Sequence, residues 1–249
     1  MNLEAKTMSY LSEYAGEEIA KGVFLERRSF LKLSVLGLCS FLLSSNSLLK
    51  AEDKIATNEN IYDIKKFVEE LTPKASAIIK GKVEEEEGYL KEVIELVKKI
   101  KGIELAPKTE HKIRFTPMHD VQPIKIYQIR MLPGAVLPCH DHREYNGIIQ
   151  VLEGTANIQN FDLADEKENI LNGKNFKVKE TQNFTAKTGD ITSLARFRDN
   201  IHEIVAGPEG VLFLDIFTFY STNGTSKYLT VEKTPTDKEN KIYMASWRK

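Results

Sequence analysis

Pro138-Cys139-His140-Asp141-His142 is the stretch on which the reading of this chain turns. Residues two apart on a β-strand point to the same face, so His140 and His142 can aim together into a sheet interior while Cys139 and Asp141 point away. Two imidazoles on one face are a ready pair of ligands for a borderline transition metal. A third ligand must come from a strand distant in sequence. Of the five histidines, His202 is the best candidate, because Asn200-Ile201-His202-Glu203-Ile204 is a short β-type run. The pair alone has a second explanation, two surface histidines on an edge strand, so the surroundings have to decide.

Those surroundings are rich in β-type runs. From about residue 112 they alternate with turn signals: Ile124–Leu132 before Pro133-Gly134, Tyr145–Leu152 before Glu153-Gly154, then Ala156–Phe161. Phe176–Thr181, Ile191–Leu194, Asn200–Val205, Val211–Phe219, Lys227–Val231 and Ile242–Trp247 follow, with Gly207-Pro208 and Gly210 between two of them. Many short strands with turns between them, and no long helix among them, predict a sandwich or barrel and argue against a βαβ sheet.

The segment Gly134–Gly154, with its His-x-His, resembles the first motif of the cupin superfamily. The resemblance implies an all-β core, a cupin barrel (double-stranded β-helix, or jelly roll) with N-terminal helices. The cupin pattern places a Glu four or five residues after the second His. Here those positions hold Asn146 and Gly147, which supply no carboxylate. Three neutral imidazoles leave a ferrous ion its full double charge, which favours an anionic ligand such as a thiolate.

Further motifs agree. Pro138-Cys139-His140-Asp141-His142, Asn200-Ile201-His202, Phe213-Leu214-Asp215-Ile216 and Tyr220 resemble those of the cupin branch that contains cysteamine dioxygenase and the plant cysteine oxidases. This likeness spans about residues 110–232. It implies Fe(II) held by His140, His142 and His202, a small thiol substrate, O2 as the second substrate, and Asp215 and Tyr220 in catalytic positions. Asp215 interrupts the apolar run Val211–Phe219, and a carboxylate buried there has to be paired or hydrogen-bonded. The residues alone leave open whether it orients a substrate amine or a ligand His, or makes a structural bond. The three-His set is also compatible with a cupin enzyme acting on a carbon substrate, and with a periplasmic cupin that binds a metal or small ligand without turnover. Arg114, Arg130, Arg196 and Arg198 are the cations available should the thiol carry a carboxylate.

Toward the N-terminus the texture is different. Arg27-Arg28-Ser29-Phe30-Leu31-Lys32 precedes the apolar stretch Leu33–Leu43, and Ser45-Asn46-Ser47 offers small residues for cleavage after Ser47. A membrane-spanning helix needs about 20 apolar residues, so this stretch suits a signal-peptide core instead. The order Arg-Arg-x-Phe-Leu-Lys resembles a twin-arginine export signal. It implies export of a folded protein by the twin-arginine machinery to the periplasm, with no stable membrane span after processing. The expected organisation is a signal peptide at 1–47, a linker at 48–60, a helical segment at 61–104 and the barrel at 105–249. Ile61, Ile64, Phe67, Val68 and Leu71, then Leu90, Val93, Ile94, Val97 and Ile100, have helical spacing, with Pro73 and Gly81 expected to break the pattern. Glu84–Glu87 reads as a solvated helix face.

Composition sets bounds on all of this. Among 249 residues, 41% are hydrophobic and 29% charged, as in ordinary globular domains, which excludes collagen, low-complexity disorder and a polytopic membrane protein. A net charge of −1 gives no general attraction to nucleic acid. Two cysteines, one of them in the signal-like segment, make no disulfide framework.

Overall fold

Alternating apolar residues from residue 113 onward build two facing sheets. The computed structural model describes residues 61–165, 175–222 and 224–248; the twin-arginine-like segment and the linker lie outside the described residues. Nine strands run in chain order as β1 (Ile113–Val121), β2 (Ile124–Met131), β3 (Val136–Asp141), β4 (Tyr145–Leu163), β5 (Phe176–Lys187), β6 (Ile191–Leu194), β7 (Ile201–Phe219), β8 (Leu229–Val231) and β9 (Ile242–Trp247). All pairings are antiparallel.

Strands β4 and β7 pair along nearly their whole length and pass through both sheets. Residues 145–154 of β4 lie against 211–219 of β7, and residues 156–161 lie against 201–206. The first halves extend through β2 and β1 on one side and β6 on the other. The second halves extend through β3 on one side and β5, β9 and β8 on the other. The result is the jelly-roll barrel of a cupin. Its interior mixes residues of both sheets: Ile129, Met131, Ile149, Val151, Val211 and Phe213 meet Leu137, Ile158, Ile204 and Ala206.

Two pairs of runs separated by turn signals in the sequence are thus single strands. Gly154 and Gly210 mark bends within them, at φ +75° and +80°. The two backbones approach so closely that a Cβ on Gly154 would lie 2.2 Å from the Gly210 carbonyl oxygen. Only glycine combines that φ with that contact.

Among the described residues two helices precede the barrel, α1 (Ile64–Lys80) and α2 (Glu86–Val97), separated by a short 3₁₀ turn at Val83–Glu85. The Asp63 side chain caps α1 by accepting from the Lys66 N–H at 2.9 Å. Pro73 does not break this helix as its sequence suggested. Phe67, Leu71, Ala75 and Ile78 form one buried stripe across it, and tertiary burial outweighs the local penalty of the proline. Together with Leu90, Val93 and Val97 of α2, the stripe covers the outer face of the first sheet at Ile124, Ile126, Ile148, Leu214 and Ile216. A third cluster encloses Cys139 with Phe161, Phe176, Val178, Ile201, Leu229 and Ala245. Among the described residues no helix is long and apolar enough to cross a membrane.

Candidate metal centre

Strand register brings the third histidine to the first two. His140 of β3 is the cross-strand partner of His202 of β7, and a shift in register between Leu137 and His140 puts both on the interior face. His142 follows just past the end of β3, where its backbone N–H donates to the Asn200 carbonyl at 2.8 Å. The Nε2 atom of His140 lies 3.1 Å from that of His142 and 3.2 Å from that of His202. Relative exposures of 7% for His140, 1% for His142 and 2% for His202 make His140 the ring nearest to solvent.

The donor set fits a metal. The Nδ1–H of His140 donates to the Pro138 carbonyl at 2.7 Å, so its Nε2 is a bare lone pair facing the other two rings. A metal ion is what such converging bare nitrogens would hold. The three histidines form a metal-type group among the described residues. Burial holds all three neutral: it pushes His140 down to about 4, and it lowers His142 and His202 well below the usual imidazole range, helped by the neighbouring rings.

The fourth interior position is a glycine. A Cβ on Gly147 would sit 3.6 Å from His142 Nδ1 and 3.5 Å from the Leu194 side chain, so the space beside the rings is narrow but open. Asn146 points to the opposite face, where its amide donates to Glu86 and to the Tyr220 hydroxyl. Neither residue brings a carboxylate to the centre.

The two further site residues of the sequence reading go to different places. Asp215 is buried among the interior-facing residues of β7, with Ile149 and Tyr127 as cross-strand partners. Its Oδ1 has no hydrogen-bond partner, and burial raises its pKa well above the ordinary carboxylate range. Tyr220, to which the family likeness gives a catalytic position, lies on the outer side of the barrel. Its hydroxyl donates to Glu86 Oε1 at 3.1 Å, and its ring carries the Arg196 guanidinium at 3.5 Å. The alternation of β7 accounts for this: Thr218 shares that outer face and bonds Tyr89 of α2.

Other tyrosines flank the histidines. The Tyr145 ring stands 4.4 Å from that of His142, with its hydroxyl bonded to Ser226, and the Tyr228 ring stands 5.6 Å from that of His140. Phe217 completes the wall at 5.9 Å from His142. Tyr145 was within reach of strand alternation from Gly147, whereas Tyr228 arrives through a bridge to His140 that no local signal marks. Three of the four arginines considered for a substrate carboxylate are engaged elsewhere: Arg130 with Glu153, Arg196 with Glu86, and Arg198 with Glu87 and Asp199. Cys139 faces away from the histidines, and burial raises its thiol pKa.

A jelly-roll barrel with three inward imidazoles, and among the described residues no carboxylate grouped with them, defines a cupin with a three-histidine group fit for a metal. The family is more particular: the model of the PCO_ADO family, the cysteine/cysteamine dioxygenases, matches residues 80–246, about two thirds of the chain, and the chain belongs to that family. No curated protein matches the sequence. Among solved structures, KdgF from Halomonas sp. is similar at 17% identity, covering 45% of this chain and 84% of its own, with a TM-score of 0.33. A cupin superfamily protein from Desulfitobacterium hafniense shares 14% identity over 46% of this chain and 84% of its own, at a TM-score of 0.34. A conserved protein with a double-stranded β-helix domain from Klebsiella pneumoniae shares 14% over 49% of this chain and 88% of its own, at a TM-score of 0.36.

Proposed function

We propose that the chain is an iron-dependent thiol dioxygenase that oxidises a small aminothiol, or an N-terminal cysteine, to a sulfinate with O2. The observation that carries this reading is the pairing of three neutral imidazoles with a glycine, Gly147, at the interior position where a carboxylate ligand would stand. A dication held without a carboxylate keeps both charges and favours a thiolate over a neutral ligand. When bound, ferrous iron supplies open coordination positions for thiolate and O2 and the electrons that activate O2. Overall, RSH + O2 gives RSO2⁻ + H⁺. Sulfur loses four electrons, O2 gains them, both oxygen atoms end on sulfur, and no outside reductant is needed.

The chain's own residues supply position and exclusion of water. The Pro138 carbonyl fixes the His140 tautomer, and Tyr145 and Phe217 wall the His142 side. Asp215 is suited to receive a substrate ammonium: its unpaired carboxyl gains a partner, and the cation brings its raised pKa down. The engagement of Arg130, Arg196 and Arg198 with acidic side chains favours an amine over a carboxylate as the recognised group. The proposal extends to location. Arg27-Arg28 and the apolar stretch after it support export by the twin-arginine machinery to the periplasm, after which residues 48–249 would remain.

The test is O2 uptake by the Fe(II)-loaded chain against cysteamine, cysteine, 3-mercaptopropionate and a Cys-initiated peptide, with product mass read in parallel. Uptake with a two-oxygen mass gain on cysteamine or the peptide is the expected result. No uptake with any thiol, with iron retained, moves the weight to another cupin chemistry or to metal binding without turnover.

A further inference from the structure

The run Glu84–Glu87 has the composition of a solvated helix face, yet Glu86 is only 2% exposed. It begins α2, and its carboxylate is directed into the barrel wall. Glu86 Oε1 accepts from Tyr220 Oη at 3.1 Å, from Asn146 Nδ2 at 3.2 Å and from the Arg196 backbone N–H at 3.3 Å, while Oε2 lies 3.5 Å from Arg196 Nε. One buried carboxylate therefore collects donors from β4, from the end of β7 and from the segment before β7.

That segment leads straight to the histidines. The Arg196 carbonyl accepts from the Asn200 side-chain amide. The Asn200 carbonyl holds the His142 backbone N–H, and Asn200 stands two residues before His202. On the other branch, Asn146 adjoins Gly147, which packs against His142 Nδ1. The neighbouring Glu87 takes Arg198 of the same segment at 2.6 Å, so the first turn of α2 grips residues 196–198 at two points.

We propose that Glu86 is a positioning residue of the metal centre, acting through Arg196, Asn200 and Asn146 to set His142 and His202 relative to His140. The inference rests on the reading of the three histidines as a metal site. Removing the carboxylate takes their common partner from the buried Asn146 amide, the half-buried Tyr220 hydroxyl and the half-buried Arg196 guanidinium. The segment that fixes two of the three ligands then shifts to satisfy them. Partners behind the ligands of a metal commonly change affinity by about 10–100-fold when removed.

The probe is Co(II) alone, titrated into the full chain and read by its visible absorption bands and dissociation constant. Glu86→Ala is expected to weaken Co(II) binding by about 10-fold or more and to shift the bands. Glu86→Gln keeps the acceptor and loses the charge, so it moves both readings in the same direction by less. Leu90→Ala, a packing change on the same helix, is expected to lower Tm and leave the bands in place. Wild-type affinity and bands in a folded Glu86→Ala protein overturn the proposal, and Glu86→Gln decides in the same way should the alanine variant not fold. An equal band shift in Leu90→Ala also overturns it, since any loosening of α2 would then suffice. Failure of the wild-type chain to bind Co(II) overturns the metal reading itself, and this inference with it.

Discussion

His140 and His202 are 62 positions apart in the chain and directly opposite each other across β3 and β7, with their Nε2 atoms 3.2 Å apart. The placement of these two ligands relative to each other is thus set by backbone register. Replacing either ring removes one of three donors that nothing nearby can replace. His202→Ala is expected to lose metal, read as iron content after desalting, while keeping the barrel's circular dichroism. Full iron occupancy in that variant would dismiss the assignment.

Burial of the three imidazoles makes the metal-free protein sensitive to acid. Burial lowers His140 to about 4 against 6.5 for an exposed imidazole, and His142 and His202 are likewise lowered, by burial and by the rings beside them. The unfolded chain therefore binds more protons below pH 6.5, and stability falls as pH drops from about 6.5 toward 4. His140 alone contributes on the order of 3 kcal/mol across that window. Urea midpoints of metal-free protein at pH 7 and pH 5 measure the loss. Equal midpoints would contradict neutral, buried rings.

Asp215 works in the opposite sense. Its folded pKa is raised by burial, so above the ordinary carboxylate range the folded chain holds a proton that the unfolded chain has released. Its contribution to stability declines as pH rises from about 4 toward the folded value. Asp215→Asn should stabilise the substrate-free protein at pH 7 and remove that part of the pH profile. If the carboxylate pairs with a substrate ammonium, the same variant should raise KM for cysteamine by about 10–100-fold and leave that for 3-mercaptopropionate unchanged. An equal change for both thiols would remove Asp215 from amine recognition.

Gly147 offers a test of the charge argument. Its would-be Cβ is 3.6 Å from His142 Nδ1, so Gly147→Asp would bring an anion against that ligand ring. That carboxylate should tighten Co(II) binding and disfavour an incoming thiolate. The expected signature is a lower metal dissociation constant with a higher KM for thiols. A lower KM would mean that the open position serves something other than the substrate anion.

The histidines and the barrel class were legible because both depend on period-two alternation, which is local. His140 and His142 lie together, as the alternation assigns them, while the continuous apolar run around Asp215 assigned it no face. The motif likeness said nothing of which face Tyr220 occupies, and its parity with Thr218 turns it to the helix side. Gly154 and Gly210 suggested strand ends, yet they are bends in strands that continue, since the signal for a left-handed φ is the same in a turn and in a corner. Glu86 was hidden for a different reason. Nothing in a run of four glutamates distinguishes the one whose partners, Asn146, Arg196 and Tyr220, lie 60 or more positions away.

Cys139, the only cysteine among the described residues, adjoins His140 in the chain and lies on the other face of the strand, packed with Phe161 and Ile201. A catalyst that attacks sulfur would be its own first victim if that thiol could reach the ion. One step of pleat keeps self and substrate apart: the ligand looks inward, the thiol is locked in hydrocarbon and holds its proton. A one-residue slip of β3 against β7 would exchange the two, so under the proposed thiol chemistry the register that assembles the centre also keeps Cys139 away from it.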